Sequence, residues 1–297
     1  MPPRSPAGDP PVNPAAYRIT DFHIHIQPWE QMKPAVAATM RLGKEAHFDF
    51  LISLMEDPKL LLRIMDEQGI ARVGLVNYPS PNIMGFDDST NDFAVRYSSA
   101  NPKRLLPYGG VDPMTTRDAA GSVKRLFAMG TRVLKLHPPH QAFAANDYTR
   151  GLTALADIYK TAQELGMPVL VHTGTSIFPG ARCKFGNPME LDDVAIDFPD
   201  LRLIMAHGGR PLYMAEAFFI LRRHKRLMLD LSGIPPKSLL EYFPRIAELE
   251  AQLLWGTDWP SPGVETMTKN VEQFLALPLS ESVFRSTLES NPERLLP

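Results

Sequence analysis

From Tyr17 onward, short apolar runs of strand length alternate with longer segments whose apolar residues recur at helical spacing. The strand-like runs begin near Arg18, Ala71, Arg104, Thr131, Pro168, Leu201, Arg226 and Gln252. Such alternation predicts a parallel sheet with crossover helices, and eight repeats predict closure into a (β/α)8 TIM barrel. Between the runs, Leu152, Leu155, Ala156, Tyr159 and Ala162 form one helical stripe, and Leu60, Leu61, Ile64 and Met65 another. Asn187-Pro188-Met189-Glu190 predicts a helix start, with Asn as cap, Pro at the first position and Glu placed to close a capping box.

Two stretches interrupt this rhythm. A long insertion after strand 1, from Gln27 to about Asp57, holds Trp29, His47, Phe48 and Phe50; a long loop after strand 5, from Thr173 to Gly186, holds Ile177, Phe178, Arg182, Cys183, Lys184 and Phe185. Long βα loops at the ligand-bearing end of a barrel build lids and pockets, so substrate is expected between these two. Residues 1–16 carry six of the 29 prolines and no periodic apolar pattern. They are expected to be a flexible tail, leaving residues 17–297 as a single barrel domain.

Composition narrows the class. With 297 residues and 44% hydrophobic content the chain can bury a large core, and a formal charge of −2 offers no basic footprint for nucleic acid. No run approaches the ~20 apolar residues of a membrane span, and the N-terminus lacks a basic head followed by an apolar stretch. The single cysteine, Cys183, excludes an internal disulfide framework and fits a reducing compartment. A cytoplasmic enzyme acting on a small molecule, with no nucleic-acid or membrane partner, is the expectation.

Candidate chemistry sits at the ends of the strand-like runs. In Asp21-Phe22-His23-Ile24-His25-Ile26, period-2 alternation puts Asp21, His23 and His25 on one face and Phe22, Ile24 and Ile26 on the other, and two imidazoles on one face can share a metal. Val169-Leu170-Val171 ends in His172, Leu203-Ile204-Met205-Ala206 in His207, and Leu253-Leu254-Trp255-Gly256-Thr257 in Asp258. Uncompensated polar groups at strand ends inside a barrel cost free energy, so their convergence predicts a shared metal site. A divalent ion there would make hydroxide available near neutral pH and polarise a carbonyl. Asp258 is the natural proton acceptor, and His207 either stabilises charge developing on the carbonyl oxygen or holds a second ion. Imidazole and carboxylate ligands suit zinc, with manganese and iron also accommodated. Lys135 would need a partner carboxylate inside a barrel, Asp258 or Asp112. His137, two residues on, is expected in the pocket, whereas His140 fits pocket or water, and His47 and His224 read as surface residues. Arg182 and Arg210, on loops after ligand-bearing strands, fit a carboxylate, and Trp259 could frame an aromatic or planar group, so all three are taken as substrate-binding.

Together Asp21-Phe-His23-Ile-His25, Val171-His172-Thr-Gly, Ala206-His207-Gly-Gly and Trp255-Gly-Thr-Asp258-Trp259-Pro resemble the amidohydrolase superfamily, most closely the amidohydrolase-related branch that includes aminocarboxymuconate semialdehyde decarboxylase. The similarity spans nearly the whole chain from about Arg18, and Ser290-Asn-Pro-Glu-Arg-Leu-Leu296 resembles that branch's usual ending. The resemblance implies a metal bound by His23, His25 and Asp258. It implies that His172 completes the site or binds a second ion, that His207 is catalytic or a ligand of that second ion, and that Lys135, if carboxylated, bridges two ions. It also implies a homodimer. Metal-dependent hydrolysis of an amide, ester or lactone bond of a small carboxylated or aromatic substrate is the leading expectation. Non-oxidative decarboxylation of an aromatic or unsaturated acid comes next, and di-iron oxygen chemistry third.

Overall fold

The computed structural model describes residues 13–296, so positions 1–12 of the expected tail lie outside it. Its remaining part is a short turn, Pro14–Ala16, whose Ala15 N–H donates to the Asn13 side chain.

Eight parallel strands follow in chain order: β1 (Ile19–Ile24), β2 (Ile70–Leu75), β3 (Leu105–Gly110), β4 (Val133–Leu136), β5 (Val169–His172), β6 (Leu203–Ala206), β7 (Met228–Asp230) and β8 (Leu253–Leu254). Each begins within two residues of the position read from the apolar runs. The seam between β8 and β1 is closed by the segment after β8: Phe22 N–H donates to Trp255 O (2.8 Å), Asp258 N–H to His23 O (2.8 Å) and His25 N–H to Trp259 O (2.7 Å). The sheet is therefore a (β/α)8 barrel, with no helix long and apolar enough to cross a membrane among the described residues.

Two apolar layers hold it. Leu75, Leu105, Leu134, Val171, Met205, Leu229 and Leu253 face the surrounding helices, while Leu106, Tyr108, Val133, Leu170, Ile204, Met228 and Leu254 fill the barrel. Burial on both faces is what makes these strands read as continuous apolar runs. The helix Thr153–Glu164 buries Leu155, Tyr159 and Ala162 as its stripe predicts, together with Ile158.

Local structure departs from expectation in three places. Strict alternation fails in β1, where a register shift between Asp21 and Ile24 turns Phe22 into the barrel against Tyr108 (ring centroids 5.3 Å apart), while Ile24 and Ile26 join the outer layer. A bulge does this by adding a residue to one strand of a pair. The insertion after β1 is helical, with helices Pro34–Arg41 and Phe48–Glu56, and its Trp29 stacks on Phe48 in the core. No capping box forms at Glu190: the Asn187 carbonyl side chain accepts from Met189 N–H, and Glu190 instead accepts from Ala145 N–H at 2.9 Å.

Candidate metal centre

At the C-terminal ends of the strands, His23, His25, Lys135, His172, His207 and Asp258 all line one cavity of about 360 Å³. The donor atoms of His23, His25 and Asp258 lie within 4.8 Å of one another, the one such three-residue group among the described residues. The two imidazoles come from β1 and its exit. Asp258 is delivered by the turn after β8, at φ 66°, and His207 leaves β6 at φ 67°. Left-handed backbone is uncommon for residues other than glycine, and its occurrence at both positions marks them as functional candidates.

Hydrogen bonding decides which nitrogen of each ring is available. His23 Nδ1–H donates to Asp230 Oδ2 (2.6 Å), leaving its Nε2 buried with no protein partner and 3.5 Å from Asp258 Oδ1. His25 Nε2–H donates to the same Asp258 oxygen at 3.0 Å. His207 Nδ1–H donates to the Ser232 carbonyl (2.7 Å), and His172 Nε2–H to the Thr175 carbonyl (3.2 Å). A carbonyl can only accept, so the second nitrogen of each of these two rings carries the lone pair. Neutral His207 can thus bind an ion or accept a hydrogen bond at Nε2, and in that form it offers no donor there to a carbonyl oxygen. A carboxylate behind the far nitrogen of a histidine is how metal-binding imidazoles are oriented, and the orphaned His23 Nε2 beside an ionised carboxylate fits a divalent ion.

Burial sets the protonation pattern. It pulls His23 below the usual imidazole range against the opposing pull of Asp230, takes His207 down to about 3, and holds His137 and His172 well below the usual range. Burial would also raise Asp258, but the His25 hydrogen bond and the imidazoles around it outweigh this and keep it ionised. Lys135, 1% exposed, has no hydrogen-bond partner; burial brings it down to about 8, with Asp230 and Asp258 opposing. Neither Asp258 nor Asp112 hydrogen-bonds to it, contrary to the pairing expected for a buried lysine.

The remaining candidates divide. His137 faces the cavity, stacked between His172 (3.8 Å) and His140 (3.6 Å). His140 is buried, between Tyr78 OH (3.0 Å) and Ser176 Oγ (2.8 Å), and also lines the cavity. Arg210 faces the cavity with its Nε buried and unpartnered. Arg182 is exposed and stands apart from the lining, and the Trp259 side chain packs into the outer core while its backbone N–H donates to Thr257 Oγ1, so neither is placed to touch substrate from this cavity. The walls come from the β5 loop as expected, at Thr175 to Phe178, but also from the β7 loop at Gly233 to Lys237 and the β8 loop at Ser261 to Glu265. His224 pairs with Asp192 at 2.5 Å instead of projecting into water.

Sequence reading missed Asp230 and Ser232. Ser232 Oγ donates to Asp230 Oδ2 (2.8 Å) and lies 3.0 Å from His23 Nδ1 and 3.1 Å from His207 Nδ1, tying both rings together. The signal was present, since β7 ends in a carboxylate just as the run before Asp258 does.

Residues 20–297 match the amidohydrolase family. Among solved structures the chain resembles an uncharacterised TIM-barrel protein from Bordetella bronchiseptica (23% identity, TM-score 0.75, 93% of this chain and 97% of that one). It also resembles a probable 2-pyrone-4,6-dicarboxylic acid hydrolase from Acinetobacter baumannii with citric acid bound (16%, 0.66, 94% and 98%). A third is a 5-carboxyvanillate decarboxylase from Novosphingobium aromaticivorans complexed with manganese (14%, 0.67, 95% and 96%). No curated protein matches the sequence.

Proposed function

Because the chain belongs to the amidohydrolase family, we propose that it is a metal-dependent hydrolase that cleaves an ester, lactone or amide of a small anionic substrate. One observation carries this reading: the unpartnered lone pair of His23 Nε2 converges with His25 on an ionised Asp258 that opens onto the cavity. His23, His25 and Asp258 would hold one divalent ion, zinc or manganese, the proton between His25 and Asp258 being released on binding, while His172 lines the same cavity. Such an ion supplies Lewis acidity, polarising a substrate oxygen and making hydroxide available near neutral pH.

The chain's own groups do the rest. Asp258 takes the proton of the attacking water and passes it to the leaving group. His207, neutral and open at Nε2, accepts a hydrogen bond from substrate or water. Lys135 remains largely a cation near neutral pH and, with Arg210, offers unpartnered donors to anionic oxygens of the substrate. His137 shapes the wall beside them.

A second reading, non-oxidative decarboxylation, is favoured by that same unpartnered ammonium: beside a site gathered for a single ion, Lys135 would hold the carboxylate to be lost. Turnover of a panel of aromatic lactones, esters and acids in ¹⁸O-labelled water separates the two. Hydrolysis places one labelled oxygen in the product; carbon dioxide release with no label in the remaining product would instead establish the decarboxylase. Elemental analysis is expected to find about one ion per chain in both wild type and Lys135→Ala. Two ions falling to one or none in the variant would show a bridging lysine.

A further inference from the structure

Helix Pro34–Arg41 packs Val36 and Met40 into the outer core and places Met40 in the lining of the cavity. Residues 27–33 before it are well anchored, since Lys33 N–H donates to Met84 O (2.9 Å) and the Gln31 side chain bonds Asp87 N–H (3.1 Å) and Ser89 (2.9 Å). From Pro34 to His47 the picture changes. Apart from bonds to adjacent chain, the hydrogen bonds that leave this segment among the described residues all come from Lys44. Every other residue from Arg41 to His47 is exposed, and Lys44 alone is half-buried.

Its ammonium donates to the carbonyls of Pro260 and Ser261, the latter at 2.9 Å. These carbonyls belong to the turn that delivers Asp258: Ser261 N–H donates back to Asp258 O at 2.8 Å, and Asp258 starts the turn in left-handed backbone. No carboxylate forms an ion pair with Lys44 among the described residues. A desolvated ammonium on two carbonyls gives a charge-assisted tie stronger than a neutral one.

We propose that residues 34–47 form a cap over the cavity latched by Lys44 to the Asp258 turn, so that Lys44 is a positioning residue for Asp258. The inference rests on the cavity being the active site. It makes capping and the geometry of the proton acceptor one event: when the cap lifts, two carbonyls beneath Asp258 lose their donor, and the left-handed turn loses a restraint.

The test compares zinc-loaded full-length wild type, Lys44→Met and Lys44→Arg by amide hydrogen exchange, with zinc affinity measured by chelator competition. In Lys44→Met, amides of 36–47 and 258–265 should exchange on the order of tenfold faster, and zinc should bind more weakly, while helix Thr153–Glu164 is unchanged. Lys44→Arg should restore both readouts. Unchanged exchange in either segment, or acceleration that extends equally to 153–164, would overturn the latch. If exchange behaves as expected but no substrate panel yields turnover, the latch stands and the hydrolase reading falls.

Discussion

Asp230 controls the centre without facing the cavity. Its Oδ2 accepts hydrogen bonds from His23 Nδ1–H and the Ser232 hydroxyl, which fixes the tautomer that leaves Nε2 open. The fit around it is close enough that a Cβ added to Gly256 would lie 2.6 Å from Asp230 Oδ1 and 2.9 Å from the Cβ atoms of His23 and Ser232. Gly256→Ala must therefore displace Asp230 or β1, and zinc affinity is expected to fall about 10- to 100-fold, as for lost outer partners of metal-binding histidines. Chelator competition measures this, and an affinity equal to wild type would show that Asp230 does not orient His23. At this scale the ligand candidates were legible because each sits at or near the end of an apolar run, which brings it toward the barrel mouth. Position past a strand end does not explain Arg182 and Trp259, since His207 and Asp258 also lie beyond β6 and β8; Arg182 stands exposed far along the β5 loop, and Trp259 follows a left-handed residue. The left-handed Asp258 sends its own side chain inward and the next one, Trp259, into the core.

Elements were read well where burial is two-sided and poorly where side chains outside the element set the ends. All eight strands were visible as apolar runs, but the bulge in β1 was not, because alternation presumes an unbroken register. The helix Glu190–Asp197 shows the same limit: the box expected within it is replaced by a bond to Ala145, forty-five positions away. That exchange has a cost in proton affinity. Burial pushes Glu190 up to about 7 from 4.5, despite the Ala145 N–H that favours its ionised form. The folded protein then binds this proton more tightly than the unfolded chain, so its contribution to stability is full below about pH 4.5 and is lost as pH rises through about 7. Glu190→Gln keeps an acceptor for Ala145 and has no charge to desolvate. Allowing for solvent screening of a partly exposed group, it should stabilise the fold by about 1 kcal/mol at pH 8 and by little at pH 4. Urea midpoints at the two pH values check the sign, and a gain confined to low pH would contradict it.

At the scale of the molecule, the proposed ligands tie the beginning of the barrel to its end. His23 and His25 lie on the first strand and Asp258 on the turn after the last, so an ion there would cross-link the seam that the backbone closes with the bonds of Phe22, His25 and Asp258. Two adjoining edges joined by so few bonds should open early on heating, and a ligand bound to the closed form alone stabilises it by mass action. At a free zinc concentration about 100 times its dissociation constant this amounts to about 2.7 kcal/mol, or roughly 5 °C for a chain of this length. Asp258→Asn weakens the third donor and should lose most of that shift. Asp66→Asn, which removes only the exposed partner of Arg104, should keep it. Calorimetry of the three proteins with and without zinc decides the matter: an equal shift in Asp258→Asn would mean that the ion sits elsewhere and that the seam is closed by the backbone alone.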